Sequence, residues 1–141
     1  MNQTIIQQTT CSRWGIFEVS IDGPKDGNPF IDQKVTGIFK GDNETVSCDG
    51  FYDGDGVYRI RFMPSFGGTY TYQVQTTFGG DCAGSFIVTA PKENEHGPVR
   101  VANTYHMTYE DGTPYYSIGT TCYVWAVSYT HLRAHETTLH L

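Results

Sequence analysis

From Trp14 to Thr89 apolar and polar residues alternate with a period of two, the spacing of strands that bury one face. Phe17, Val19 and Ile21 share one parity of the first run and are expected to face a core. Trp14, Ile16, Glu18 and Ser20 share the other. Asp22-Gly23-Pro24 and Asp26-Gly27-Asn28-Pro29 supply turn residues and predict a long loop. A second strand is predicted over residues 34–40, and Gly41-Asp42-Asn43 turns it into a third over 44–48. Residues 57–63 give the clearest alternation, with Tyr58, Ile60 and Phe62 set against Arg59, Arg61 and Met63, and Pro64 ends it. Two more strands follow, one after Gly67-Gly68 with Tyr70, Tyr72 and Val74 in phase, and one over 84–89 with Phe86 and Val88 in phase.

No segment before Pro98 keeps a 3.6-residue apolar period, so helices are expected to be absent or confined to single turns. Short strands at this spacing with glycine-rich turns predict an all-β fold, an immunoglobulin-like β-sandwich over residues 12–90. Residues 1–11 read as a loose leader or at most an edge strand, and 91–98, polar and bracketed by prolines, as a short stiff linker. A hairpin is then expected from 99–102 and 105–109. The Asp111-Gly112 turn leads from it into a further strand at 115–118.

The composition supports a folded core: 38% of residues are hydrophobic, with 10 Tyr and 8 Phe in a chain of 141. A net charge of −6 with Lys and Arg scattered singly leaves no basic stripe for a phosphate backbone, and nucleic acid is set aside. No apolar run is long enough to cross a bilayer, and the first residues lack the charged and apolar regions of a secretion signal. A cytoplasmic location with no membrane partner is therefore expected. Cys11, Cys48, Cys82 and Cys122 are widely spaced, which favours free thiols; a Cys48–Cys82 bridge becomes worth testing if the protein is exported.

Four ordered stretches carry a family likeness: WGIFEVSIDGP followed by NPF, then GFYDGDGVYRIRFMP, GTYTYQV and GSFIVT. Together they resemble the DUF5060 domain, an immunoglobulin-like module at the N-terminus of bacterial glycoside hydrolases. The following stretch, HGPVRVANTYHMTYEDGTPYYSIGTTCYVW, resembles the start of an apiosidase-like DUF4038 (β/α)8 barrel, which makes 99–126 the opening of a truncated catalytic domain and 115–118 its first strand. Side chains at strand ends of such barrels line the substrate mouth. The resemblance thus implies substrate contacts for Thr121, Tyr123 and Trp125, beside Thr120 and Cys122. It also implies catalytic carboxylates on later strands, so that no catalytic residue is expected here and the partner of the sandwich is a barrel of the same chain. Residues 127–141 resemble the translation of a transposase sequencing adapter, because SYTHLRAHET is encoded by that adapter in one frame; His131 and His135, at helical i, i+4 spacing, are excluded with it as metal ligands.

The carboxylates before residue 98 lie mostly in turns, where glycosidase chemistry, which needs two across one bond, has no scaffold. Asp49, Asp53 and Asp55 are spaced by glycines, but they lack the ligand ladder of a calcium loop, and a tight turn is the favoured reading. No metal or other cofactor is expected. Of the aromatics able to stack on a sugar, Trp14, Phe51, Tyr52, Tyr70 and Tyr72, the pair Phe51 and Tyr52 fall outside the predicted strands and are the candidate oligosaccharide contacts. His96 and His106, at the domain junction, are expected to be structural. Function is read as a non-catalytic accessory domain of a glycoside hydrolase acting on plant-type oligosaccharides, the alternative being an autonomous carbohydrate-binding or structural interaction module.

Overall fold

The computed structural model describes residues 6–121. Two sheets face each other. One runs in the order β1 (Ile6–Gln7), β3 (Phe17–Asp22), β7 (Val57–Phe62), β6 (Phe51–Tyr52). The other runs β2 (Thr10–Ser12), β9 (Cys82–Thr89), β8 (Gly68–Thr76), β4 (Val35–Lys40), β5 (Thr45–Asp49). All pairings within them are antiparallel except β2 with β9. The one helix among the described residues, α1 (Pro29–Asp32), is a single turn in the β3–β4 loop.

The period-two pattern places the core where expected. Phe17, Val19 and Ile21 of β3 and Tyr58, Ile60 and Phe62 of β7 are buried from one sheet. Val35 and Phe39 of β4, Tyr70, Tyr72 and Val74 of β8, and Phe86 and Val88 of β9 meet them from the other. Rings fill the gap: Phe17 stacks on Phe86 at 3.7 Å between centroids, and Phe39 on Phe62 at 4.5 Å. Tyr70 is an inner-face residue whose hydroxyl still needs a partner. It donates to Glu44 Oε1 at 2.6 Å, and the Ser65 N–H donates to the same oxygen. Burial, then that bond, push the phenol above the tyrosine range.

One open reading is decided, the leader taking its edge-strand form, and two others change. Residues 6–7 and 10–12 are edge strands of opposite sheets, so the sandwich takes in chain ahead of Ser12; backbone pairing to β3 and β9 recruits a segment whose composition carries no strand signal. Phe51 and Tyr52 form a short strand rather than a loop. Gly50 makes this possible: a Cβ there would lie 2.8 Å from the Arg59 carbonyl oxygen and from Ile60, so only glycine lets the chain pass from the edge of one sheet to the other. Residues 115–121 form no strand; Thr108 bridges Pro114, the Tyr115 N–H bonds to the Met107 carbonyl, and the pairing stops. Among the described residues no strand or layer covers Tyr116 and Ile118, which are 79% and 95% exposed. The barrel expected around 115–118 is not represented among the described residues.

The expected hairpin forms from β10 (Val99–Ala102) and β11 (His106–Tyr109). The linker before it is fastened down. Glu95 accepts from Ser12 Oγ at 2.8 Å, and Gly97 packs so closely on Trp14 and Glu110 that a Cβ would meet them at 2.9 and 2.7 Å. Cys48 and Cys82 stand in one cross-sheet row, through Gly37 and Val74, three strand spacings or about 14 Å apart. A disulfide needs less than about 7 Å, and Cys11, Cys48 and Cys82 are free thiols. Cys122 lies outside the described residues.

Candidate functional site

Strand geometry separates the two aromatics that the sequence places side by side. Phe51 points out from the sheet and is 39% exposed, with the Arg61 guanidinium 5.1 Å from its ring centroid. Tyr52 points to the rim of the core, 5.0 Å from Tyr58 and 5.1 Å from Phe30, and its hydroxyl accepts from the Gly56 N–H at 3.0 Å. They form no common platform. Tyr70 and Tyr72 belong to the core, and Trp14, with φ 64°, lies under the Arg13 guanidinium at 4.2 Å.

Phe51 borders a charged ladder on the outer face of its sheet. Register sets Glu18 opposite Arg61 and Ser20 opposite Arg59. Arg61 Nε donates to Glu18 Oε2 at 2.6 Å, Arg59 Nη1 to Glu18 Oε1 at 2.7 Å and to Ser20 Oγ at 2.9 Å, and Arg59 Nε to Asp53 Oδ2 at 2.5 Å. Arg61, and then Arg59, hold the Glu18 carboxyl below its ordinary range. Every charge in the ladder is answered within it, so its first effect is to fix β3, β7 and the Asp53 turn.

That turn is built by backbone. Gly54, Asp55 and Gly56 all have positive φ, and the Asp53 N–H bonds to the Val57 carbonyl at 2.8 Å. The Asp53 carboxylate is taken by Arg59, and Asp49 accepts from Thr36 Oγ1 at 3.5 Å. Among the described residues no group of three or more His, Cys, Asp or Glu side chains is gathered for a metal.

A cleft of about 330 Å³ opens where the linker crosses the sandwich edge, lined in part by Gln8, Thr10, Ser12, Ile16, Lys92 and Glu95. Both Glu95 oxygens are engaged, by Ser12 Oγ and by the Lys92 N–H, and these bonds, in that order, keep its carboxyl low. A second hollow of about 320 Å³ runs beside Gln73, Gln75 and Asp81. Each has one lining carboxylate. Acid–base cleavage of a glycosidic bond needs two, roughly 5–10 Å apart. At the junction, His96 Nδ1 meets Asp111 Oδ2 at 2.7 Å, a structural contact that joins linker to hairpin. His106 is an exposed residue of β11.

Of the predicted contact residues of the barrel mouth, Thr121 is exposed and outside any strand, while Tyr123 and Trp125 lie outside the described residues, as do residues 127–141. Sequence reasoning missed Phe30 and Ile31, 73% and 79% exposed on α1 beside Tyr52. The signal was there, because a one-turn helix opened by Pro29 cannot bury two successive apolar side chains.

A β-sandwich without a catalytic constellation among its described residues is the class that these features define. Residues 10–77 match the family model of the DUF5060 domain, a domain of unknown function. Among solved structures, the chain is similar to a protein from Bacteroides vulgatus ATCC 8482 described as a "putative glycoside hydrolase", at 36% identity and a TM-score of 0.74. That similarity covers 90% of this chain and 25% of the other, so the chain spans about a quarter of that protein's length. The Lin-41 filamin domain is similar at 15% identity and a TM-score of 0.47, over 62% of this chain and 91% of that one. No curated protein matches.

Proposed function

We propose that this chain is the non-catalytic sandwich module of a longer glycoside hydrolase, with the catalytic carboxylates on a domain beyond residue 121. The observation that carries this reading is the likeness, at 36% identity over 90% of the chain, to one quarter of a protein described as such an enzyme. The module's work is then mechanical: its aromatic core gives a rigid body, and the clasped linker holds the following segment in a set direction. Plant-type oligosaccharides as substrate and a barrel as the catalytic domain remain part of this reading, on the resemblance of residues 99–126. The test joins the chain, through residue 121, to the remaining three quarters of the Bacteroides vulgatus protein and assays both forms on aryl glycosides. Turnover by the joined protein alone is expected; turnover by the 141-residue chain alone overturns the reading.

A second reading, an autonomous carbohydrate-binding module, is favoured by the exposed rings at two places, Phe51 under Arg61 and Phe30 against Tyr52. Titration with a glycan panel separates the two. Saturable binding abolished by Phe51→Ala or Phe30→Ala supports the binder, and no binding by the folded wild type removes it.

A further inference from the structure

The β10–β11 hairpin has one apolar face. Its register sets Val99 opposite Tyr109 and Val101 opposite Met107, and directly opposed residues share a face. Tyr109 is covered by the rings of Tyr115 and His96, each 5.4 Å away. The rest is open: Val99, Val101 and Met107 are 37%, 69% and 49% exposed. A two-stranded ribbon is marginal in water unless its apolar face is covered.

The ribbon is nevertheless held in place. The Asp111 N–H donates to the His96 carbonyl at 3.3 Å, the His96 ring meets the Asp111 carboxylate, and the Thr113 N–H donates to Asp111 Oδ1 at 2.9 Å. Gly97 wedges between Trp14 and Glu110, and Glu95 is bound to Ser12, so the linker connects this clasp to the sandwich. An apolar face that the described residues leave uncovered, on an anchored ribbon, is a surface awaiting a partner.

Its size selects the occupant. The open patch is on the order of 300 Å², below the ~800 Å² per partner that a stable complex of separate molecules buries. A tethered partner needs far less, because a short connection makes the contact intramolecular at an effective concentration of about millimolar. The Bacteroides vulgatus protein has such a partner available, since three quarters of its chain lie outside the region of similarity.

We infer that the Val99, Val101 and Met107 face is the docking surface for the adjoining domain of the same polypeptide, so that the hairpin, rather than either sheet of the sandwich, is the contact through which the module holds its neighbour. This rests on the reading of the chain as one module of a longer protein, but not on that protein's being a hydrolase.

Oxidative footprinting tests it. Met107 is compared in the 141-residue chain and in the chain joined at residue 121 to the part of the Bacteroides vulgatus protein outside the region of similarity, while the same samples are assayed on aryl glycosides. Met107 in the short chain should oxidise as a solvent-exposed methionine, with the chain monomeric by sedimentation. In the joined protein it should oxidise on the order of tenfold more slowly. Val101→Asp should restore fast oxidation there and leave the melting temperature of the short chain unchanged. Equal oxidation of Met107 in the two forms overturns the inference, as does a short chain that dimerises and protects Met107, which makes a second copy the occupant. If the joined protein does not fold, the natural Bacteroides vulgatus protein is footprinted at the positions that superpose on Val101 and Met107, and free access there overturns it equally. Protection without hydrolysis sinks the hydrolase reading alone; hydrolysis without protection sinks the docking surface alone.

Discussion

Replacing Phe17 by alanine removes the ring on which the two sheets meet. Phe17 has no exposed surface, stacks on Phe86 at 3.7 Å, tilts against Tyr72 at 5.4 Å and meets Phe39 edge-on at 6.0 Å. The loss of a buried Phe side chain with partial collapse of its cavity costs about 3–5 kcal/mol. The stacked partner adds about 1 kcal/mol beyond area. Against a domain stability of about 5–15 kcal/mol, the variant forfeits about a quarter or more of the total. With a urea slope of about 1.5 kcal/mol/M, the midpoint should fall by roughly 3–4 M, followed by circular dichroism. Phe17→Leu, at about 1–2 kcal/mol, keeps the shift measurable if the alanine variant does not fold. Phe51→Ala, on the outer face, should move the midpoint by less than about 1 kcal/mol in equivalent terms. A Phe17→Ala protein within about 1 kcal/mol of wild type refutes the reasoning, because a core centred on that ring cannot lose it so cheaply.

Glu44→Ala strands the buried Tyr70 hydroxyl and should cost about 1–3 kcal/mol by urea titration, whereas Glu44→Gln, which keeps an acceptor, should cost less. The Glu18 carboxyl, depressed first by Arg61 and then by Arg59, stabilises the fold above its unfolded value near 4.5, and that contribution is lost as pH falls through the lower folded value. Melting between pH 5 and pH 2, about the range concerned, should show a steeper acid decline for wild type than for Glu18→Gln, with a difference of at most about 1 kcal/mol; identical curves contradict the ladder. After mild oxidation, peptide mapping should find no Cys48–Cys82 link within one chain, since the register holds these residues three strand spacings apart.

The core was legible because one buried face per strand writes a period of two into the sequence, as at Phe17-Val19-Ile21 and Tyr58-Ile60-Phe62. Residues 6–12 were not, because β1 and β2 are held by backbone pairing at sheet edges, which asks little of side chains. Phe51 and Tyr52 stood out as aromatics between strands, but the sheet exchange at Gly50 depends on how close Arg59 and Ile60 approach, a distance that no local pattern encodes. Phe30 and Ile31 went unread because the NPF stretch looked like loop punctuation. The charged ladder also escaped: Glu18 is far in sequence from Arg59 and Arg61 and meets them only through the β3–β7 register.

The most direct test of the central claim is the release of nitrophenol from a panel of aryl glycosides by the 141-residue chain, measured beside its joined form under identical conditions. The account predicts a rate for the short chain indistinguishable from the blank and turnover only in the joined protein. Hydrolysis by the short chain above the blank, surviving repurification and lost on unfolding, would contradict it.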